Sequence, residues 1–245
     1  MKYILFVMIL LVLSPVVVSA QYLAQGKIEY ERKVNIHRQM EDMDNNEFFE
    51  RIKSQIPKFT TAYFDMYFNT SKIIYKPGKE TENPFKMFGG GPATDNVVLT
   101  DLTQRTVLAN KQIYDQKFSV HDSMRQMQWK ITDEIRTIAN YKCRKAVSKI
   151  CDTVYVVAFY TDDILVSGGP EMFGGLPGMI LELAVPRLYT TWVASKVDIA
   201  SPKETDFAFT EKGKKVTQQE LNESLANSLK AWGKFAQRNI WWSVL

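Results

Sequence analysis

Histidine is almost missing from this chain: His37 and His121 are the only two in 245 residues. That takes away the commonest general base and metal ligand. His37 falls on the polar side of an alternating strand, and His121 stands in a polar turn with Asp122 and Ser123. Both read as solvated surface residues. Three neighbours in sequence do not make a catalytic triad, which is defined by geometry. No His-Glu-x-x-His element, Gly-x-Ser-x-Gly elbow or Walker-type loop occurs. The run Gly89-Gly90-Gly91 lacks the lysine and hydroxyl of a phosphate cradle and reads as a flexible loop. No cofactor or metal site is expected.

Cysteine is equally scarce, with Cys143 and Cys151 as the only pair. In an exported protein, two close cysteines read as a disulfide. Here the bridge is expected across a hairpin whose turn lies at residues 147–149. Single-sign charge blocks are also lacking. Against 31 basic residues stand 27 acidic ones, and no cluster of lysines and arginines builds a nucleic-acid stripe. Beyond the first twenty residues, no apolar run is long enough to span a bilayer.

The one long apolar run is at the start. Lys2 supplies a positive flank, Tyr3 to Leu13 is uncharged and apolar, and Ser14-Pro15 breaks the run. Val18-Ser19-Ala20 then places small residues where a signal peptidase reads them. Residues 1–20 are therefore expected to be a cleaved signal peptide and residues 21–245 a single β-rich domain. The address is exported, in the periplasm or associated with the outer membrane, with no transmembrane span in the mature chain.

Alternation dominates the rest. Over residues 26–38, Ile28, Tyr30, Val34 and Ile36 share one face and Lys27, Glu29, Glu31, Lys33 and Asn35 the other. Residues 59–69, 71–76, 96–100, 104–109 and 113–120 read as further strands, with a hairpin around Asp101. Another strand starts at Met127 and runs on toward Cys143. Residues 153–161 are apolar on both faces, as in a strand covered on both sides. Residues 179–185 and 191–199 add two more. Helices are expected at residues 44–56, from the spacing of Phe48, Phe49, Ile52 and Ile56, and after the capping box Thr217/Glu220. The second helix carries the stripe Leu221, Leu225, Leu229 and Trp232, with Gly233 at its end. Residues 79–94 are expected to be a long loop. The expected fold is mainly β: a curled antiparallel meander sheet or half-barrel with two packing helices.

One segment is more particular than composition. Gly168-Gly169-Pro170 is followed by Phe173-Gly174-Gly175-Leu176-Pro177-Gly178-Met179-Ile180. This closely resembles the signature of the GLPGLI family, with Met179 in place of the second leucine. Trp129, the run Tyr141 to Ala146, Phe159-Tyr160-Thr161 and Ile164 fit the same resemblance. It implies an exported envelope protein of a mainly Bacteroidetes type, in a family without an established activity. No catalytic or ligand residue is carried over. Read by physics alone, Pro177 and Gly178 suit the two central positions of a type II turn. The motif either aims the chain into the next strand or presents Leu176 and Met179 to a partner.

The leading expectation is a non-catalytic protein that binds a hydrophobic or lipid-like ligand or an envelope protein partner. A hydrolase using Asp162 or Asp163 is one alternative, and a purely structural assembly partner the other. A continuous apolar concavity, converging acids, or a flat surface with one apolar patch would separate the three. Export makes a prediction of its own. The intact mass of protein from the envelope fraction should correspond to a chain beginning at Gln21; a mass retaining residues 1–20 means an anchor instead.

Overall fold

The structure is a computed structural model, and it describes residues 22–42, 50–51, 53–80, 92–113, 115–151, 154–230 and 233–245. Two antiparallel meanders share one sheet. The first comprises β1 (Gly26–Asn35), β2 (Phe59–Phe68), β3 (Lys72–Pro77), β4 (Val97–Asp101), β5 (Thr106–Ile113) and β6 (Gln116–Ser123). The second comprises β7 (Lys130–Ile138), β8 (Tyr141–Ile150), β9 (Val154–Thr161), β10 (Met179–Val185) and β11 (Thr190–Asp198). Antiparallel pairing of β1 with β11 joins them, from Lys27↔Asp198 to Val34↔Thr190. A short strand, β12 (Lys214–Val216), adds parallel to β6. The twelve strands run β12-β6-β5-β4-β3-β2-β1-β11-β10-β9-β8-β7, so β12 and β7 are unclosed edges. This is the expected curled, mainly β architecture, with the parallel β12 as the departure from a pure meander.

Local chemistry explains most of the corners. Asn35 ends β1 by accepting the Arg38 N–H with its side chain and so caps α1 (Ile36–Glu41). Ile36 and His37, expected at the end of the strand, therefore lie in a helix. Asp101 accepts the N–H groups of Thr103 and Gln104, which turns β4 into β5. Ala139 and Asn140 both have positive φ, the signature of a tight primed hairpin turn. The strand expected to run from Met127 toward Cys143 is thus split there into β7 and β8. His121 lies within β6, not in a turn, and its Nε2 meets Ser119 Oγ at 3.2 Å while Asp122 bonds the Ser123 N–H. The helix expected over residues 44–56 falls mostly outside the described residues; Lys53–Gln55 is a single 3₁₀ turn.

No disulfide joins the two cysteines. Cys143 lies on β8 and pairs across to Arg136 of β7, while Cys151 follows the last residue of the same strand. Eight residues of extended chain span about 26 Å, far beyond the roughly 7 Å that a disulfide tolerates between Cα atoms. The expected turn at residues 147–149 is in fact strand; the chain reverses only after Ile150, which pairs with Val154.

The capping box is present: Thr217 Oγ1 accepts the Glu220 N–H and Glu220 accepts the Thr217 N–H, opening α2 (Gln218–Ser228). Leu221, Leu225 and Leu229 are buried as expected. Gly233 does not end this helix but opens another, α3 (Gly233–Ser243), whose end buries Trp242, Val244 and Leu245. α3 shows how far the sheet curls. β5 and β11 are five ladder steps apart, about 24 Å in a flat sheet. Yet Lys111 of β5 bonds the Ser243 carbonyl at 2.6 Å, while the neighbouring Trp242 ring lies 6.4 Å from that of Trp192 on β11. A second brace crosses the curl directly, from Trp192 Nε1 to the Tyr75 hydroxyl of β3 at 2.9 Å.

Candidate functional site

The motif segment packs against β3 and β10. After β9 the chain forms a parallel bridge between Gly168 and Met179, with the Ile180 N–H donated to the Gly168 carbonyl at 2.8 Å. Gly168 is packed so closely that a Cβ there would lie 2.3 Å from Ile73 Cδ1. Phe173 closes a turn onto the Pro170 carbonyl, Trp129 Nε1 donates to the Gly174 carbonyl at 2.9 Å, and the Gly175 N–H reaches Ser167 Oγ. At Pro177 the turn is tighter than type II. The Gly178 N–H bonds the Leu176 carbonyl at 2.8 Å, a three-residue turn of the γ class centred on proline.

Gly178 has φ 144°, and a Cβ there would stand 2.0 Å from the Thr161 carbonyl oxygen. Glycine is thus needed for conformation and for space. Leu176 is 2 % exposed and Met179 0 %, so both are packed in the core and only Pro177 of this turn faces out. The motif aims the chain into β10; it does not offer Leu176 and Met179 to a partner.

Behind the motif sits a buried polar cluster that the sequence reading missed. Arg32 is 2 % exposed, donates Nη1 to the Ala93 carbonyl, and is ringed by Phe64, Trp192 and Trp242 with centroids 5.2, 6.0 and 5.5 Å from its guanidinium carbon. Glu171, in the left-handed region at φ 55°, is buried and accepts the Asn96 amide at 2.9 Å. Burial pushes its carboxyl above the usual range, while Asn96 and the cations Arg32 and Lys111 pull the other way. Lys111 and Arg125 meet the end of α3: Lys111 donates to the Ser243 carbonyl and to Gln218 Oε1, and Arg125 Nη2 donates to the Val244 carbonyl. The Met172 N–H takes the Leu245 carbonyl at 3.2 Å. The last carbonyls of a helix have no partner within it. Here Lys111 and Arg125 supply one, and the Arg125 charge has the favourable sign for a helix C-terminus.

Beside the cluster opens a cleft of about 390 Å³. Motif residues from Ser167 to Gly175 form one wall; Leu102, Val107, Met124 and Met127 form the other, and Arg105 and Arg125 also line it. Among the described residues, no aspartate or glutamate lines it. Asp162 and Asp163 are exposed at the end of β9, away from that lining, and Glu134 is paired with Lys145 and Arg136 on the outer surface. Among the described residues, no group of histidines, cysteines and carboxylates is placed to hold a metal ion. No described helix is long and apolar enough to cross a membrane.

A family model described as a protein of unknown function (Porph_ging) matches residues 147–182. The match runs from the end of β8 through β9 to the motif and is compatible with the GLPGLI resemblance. No curated protein matches the chain. Among solved structures, PNGF-II in a P21 crystal form is similar with a TM-score of 0.52 and 15% identity, over 79% of this chain and 32% of that one. In a C2 form the TM-score is 0.51 at 15% identity, over 90% and 33%. The chain thus spans about a third of the length of PNGF-II, and the likeness is one of fold.

Two predictions follow from the geometry. Gly178→Ala should cost more than about 2 kcal/mol in chemical denaturation, because its Cβ meets a backbone carbonyl that cannot step aside; a loss within error would show that the turn relaxes freely. The second concerns Lys111. Burial, with Arg125 beside it, pushes its ammonium down to about 7. An unfolded lysine titrates near 10.4, so between about pH 7 and 10 the unfolded chain holds the extra proton and stability rises with pH. Lys111→Met should flatten urea-derived stability over that window, removing a slope of up to about 1.4 kcal/mol per pH unit. Parallel pH profiles for the two proteins would rule this out.

Proposed function

We propose that this chain is an exported cell-envelope protein that acts by binding rather than by catalysis, and that the cleft beside the motif holds an apolar, lipid-like ligand. The observation that carries the reading is the cleft itself: methionine, leucine, valine and phenylalanine side chains share the walls of about 390 Å³ with glycine backbone, Thr100, Gln126, Ser167 and two arginines, and no described carboxylate lines it. That volume sits toward the small end of ligand sites, which are mostly apolar with a few polar anchors. Methionines suit such a wall because their thioethers adapt to irregular shapes. Trp192, Trp242 and the end of α3 pack inside the curl, and the side cleft serves as the ligand site in this reading. The motif acts as scaffold, holding the glycine-rich wall in place.

The test uses a neutral probe. N-phenyl-1-naphthylamine fluorescence should rise saturably with the wild-type protein. Met127→Trp, which places an indole in the cleft, should weaken that binding about tenfold or more with the melting temperature unchanged. Equal binding by the variant, or none by the wild type, would exclude the cleft as the ligand site.

A further inference from the structure

The cleft carries more charge than an apolar site needs. Two arginines line it, Arg105 on the β4–β5 turn and Arg125 just after β6, and no described lining residue is acidic. Among the described residues, neither arginine forms an ion pair. The nearby carboxylate of Asp122 is engaged by the N–H groups of Gln218 and Ser123. Arg125 is fixed in place. One terminal nitrogen donates to the Val244 carbonyl, and the guanidinium carbon lies 5.8 Å from the centre of the Phe173 ring. Its other terminal nitrogen, Nη1, is buried with no hydrogen-bond partner. A buried, oriented donor on a permanent cation is costly unless an acceptor meets it. Around it the cleft is walled by Met124, Met127, Met172 and Phe173.

We infer that the ligand of this cleft is a single-chain anionic amphiphile, whose acidic head is taken by Arg125 and Arg105 and whose short aliphatic tail lies along the methionines. This rests on the cleft being the ligand site, and it adds the head group. A guanidinium presents a planar fork that fits carboxylate and phosphate oxygens alike, so both head groups belong to the class. A neutral ligand of the same length would fill the apolar wall but leave the charges of Arg105 and Arg125 unmatched, and a cationic one would face two like charges.

The full mature chain is titrated calorimetrically with octanoate, octanol, octyltrimethylammonium and octyl phosphate. Octanoate should bind at least about tenfold tighter than octanol, and octyltrimethylammonium weakest of the four. Octyl phosphate above octanoate assigns a phosphate head; below it, a free carboxylate. Arg105→Gln, on the surface, should narrow the octanoate-to-octanol ratio without changing the melting temperature. Arg125→Gln should nearly abolish the ratio if it folds, and the wild-type series decides the matter if it does not. Octanol binding as tightly as octanoate overturns the anionic head while leaving the apolar cleft standing. No binding of any octyl compound overturns both.

Discussion

The fold is organised by a helix end that has been taken out of water. The final carbonyls of α3 lie inside the curl of the sheet, where an unmatched acceptor is expensive. Lys111 from β5, Arg125 from just after β6, and Gln218 from the start of α2 converge to satisfy the carbonyls of Ser243 and Val244. The Leu245 carbonyl is taken by the motif segment through the Met172 N–H. Sheet, both C-terminal helices and motif therefore meet at one small set of hydrogen bonds. The curl is what lets distant strands reach it, and the apolar seal of Trp192, Trp242 and Leu245 keeps the water out.

This arrangement also explains why cations are tolerated in the core. Arg32 and Arg125, joined by Lys111 when it is protonated, outnumber Glu171, yet each donates to a backbone carbonyl and Arg32 lies among aromatic faces as well. The carbonyls at the end of α3 carry the partial negative charge that a conventional ion pair would otherwise supply. Glu171 contributes one full negative charge from the motif side, held by Asn96, when ionised. Its strained backbone, at φ 55°, marks a position fixed by its surroundings and not by local preference.

The strand pattern was legible because burial on one face writes a period of two into the sequence, and ten of the twelve strands sit where alternation or apolar runs put them, within a few residues. The same pattern contained Arg32 in plain view: it shares parity with Ile28, Tyr30 and Val34 and must point inward with them. Reading apolar residues alone passes over it. The hairpin at Ala139-Asn140 was missed because alanine is a poor signal for positive φ, and that error displaced the turns and brought the two cysteines together on paper. α3 was missed because its contacts are long-range. Gly233 looks like a helix end, and nothing local says that Trp242 will be buried against Trp192, fifty residues upstream. The glycines and proline of the motif were readable as backbone devices; the partner of Gly178, the Thr161 carbonyl, was not.

A sheet left open has to protect its edges. β12 is only three residues long, so it offers little backbone for another strand to copy. β7 is longer, but its pairing with β8 is broken between Ile131 and Ile135, and it carries Lys130, Asp133, Glu134 and Arg136. A bulge and alternating charges twist and solvate an edge, which discourages an incoming strand from registering along it. The consequence is colloidal: at high protein concentration, this chain can keep an unclosed sheet without being drawn into strand-by-strand polymerisation, even though Ile131 and Ile135 remain half-exposed on that border.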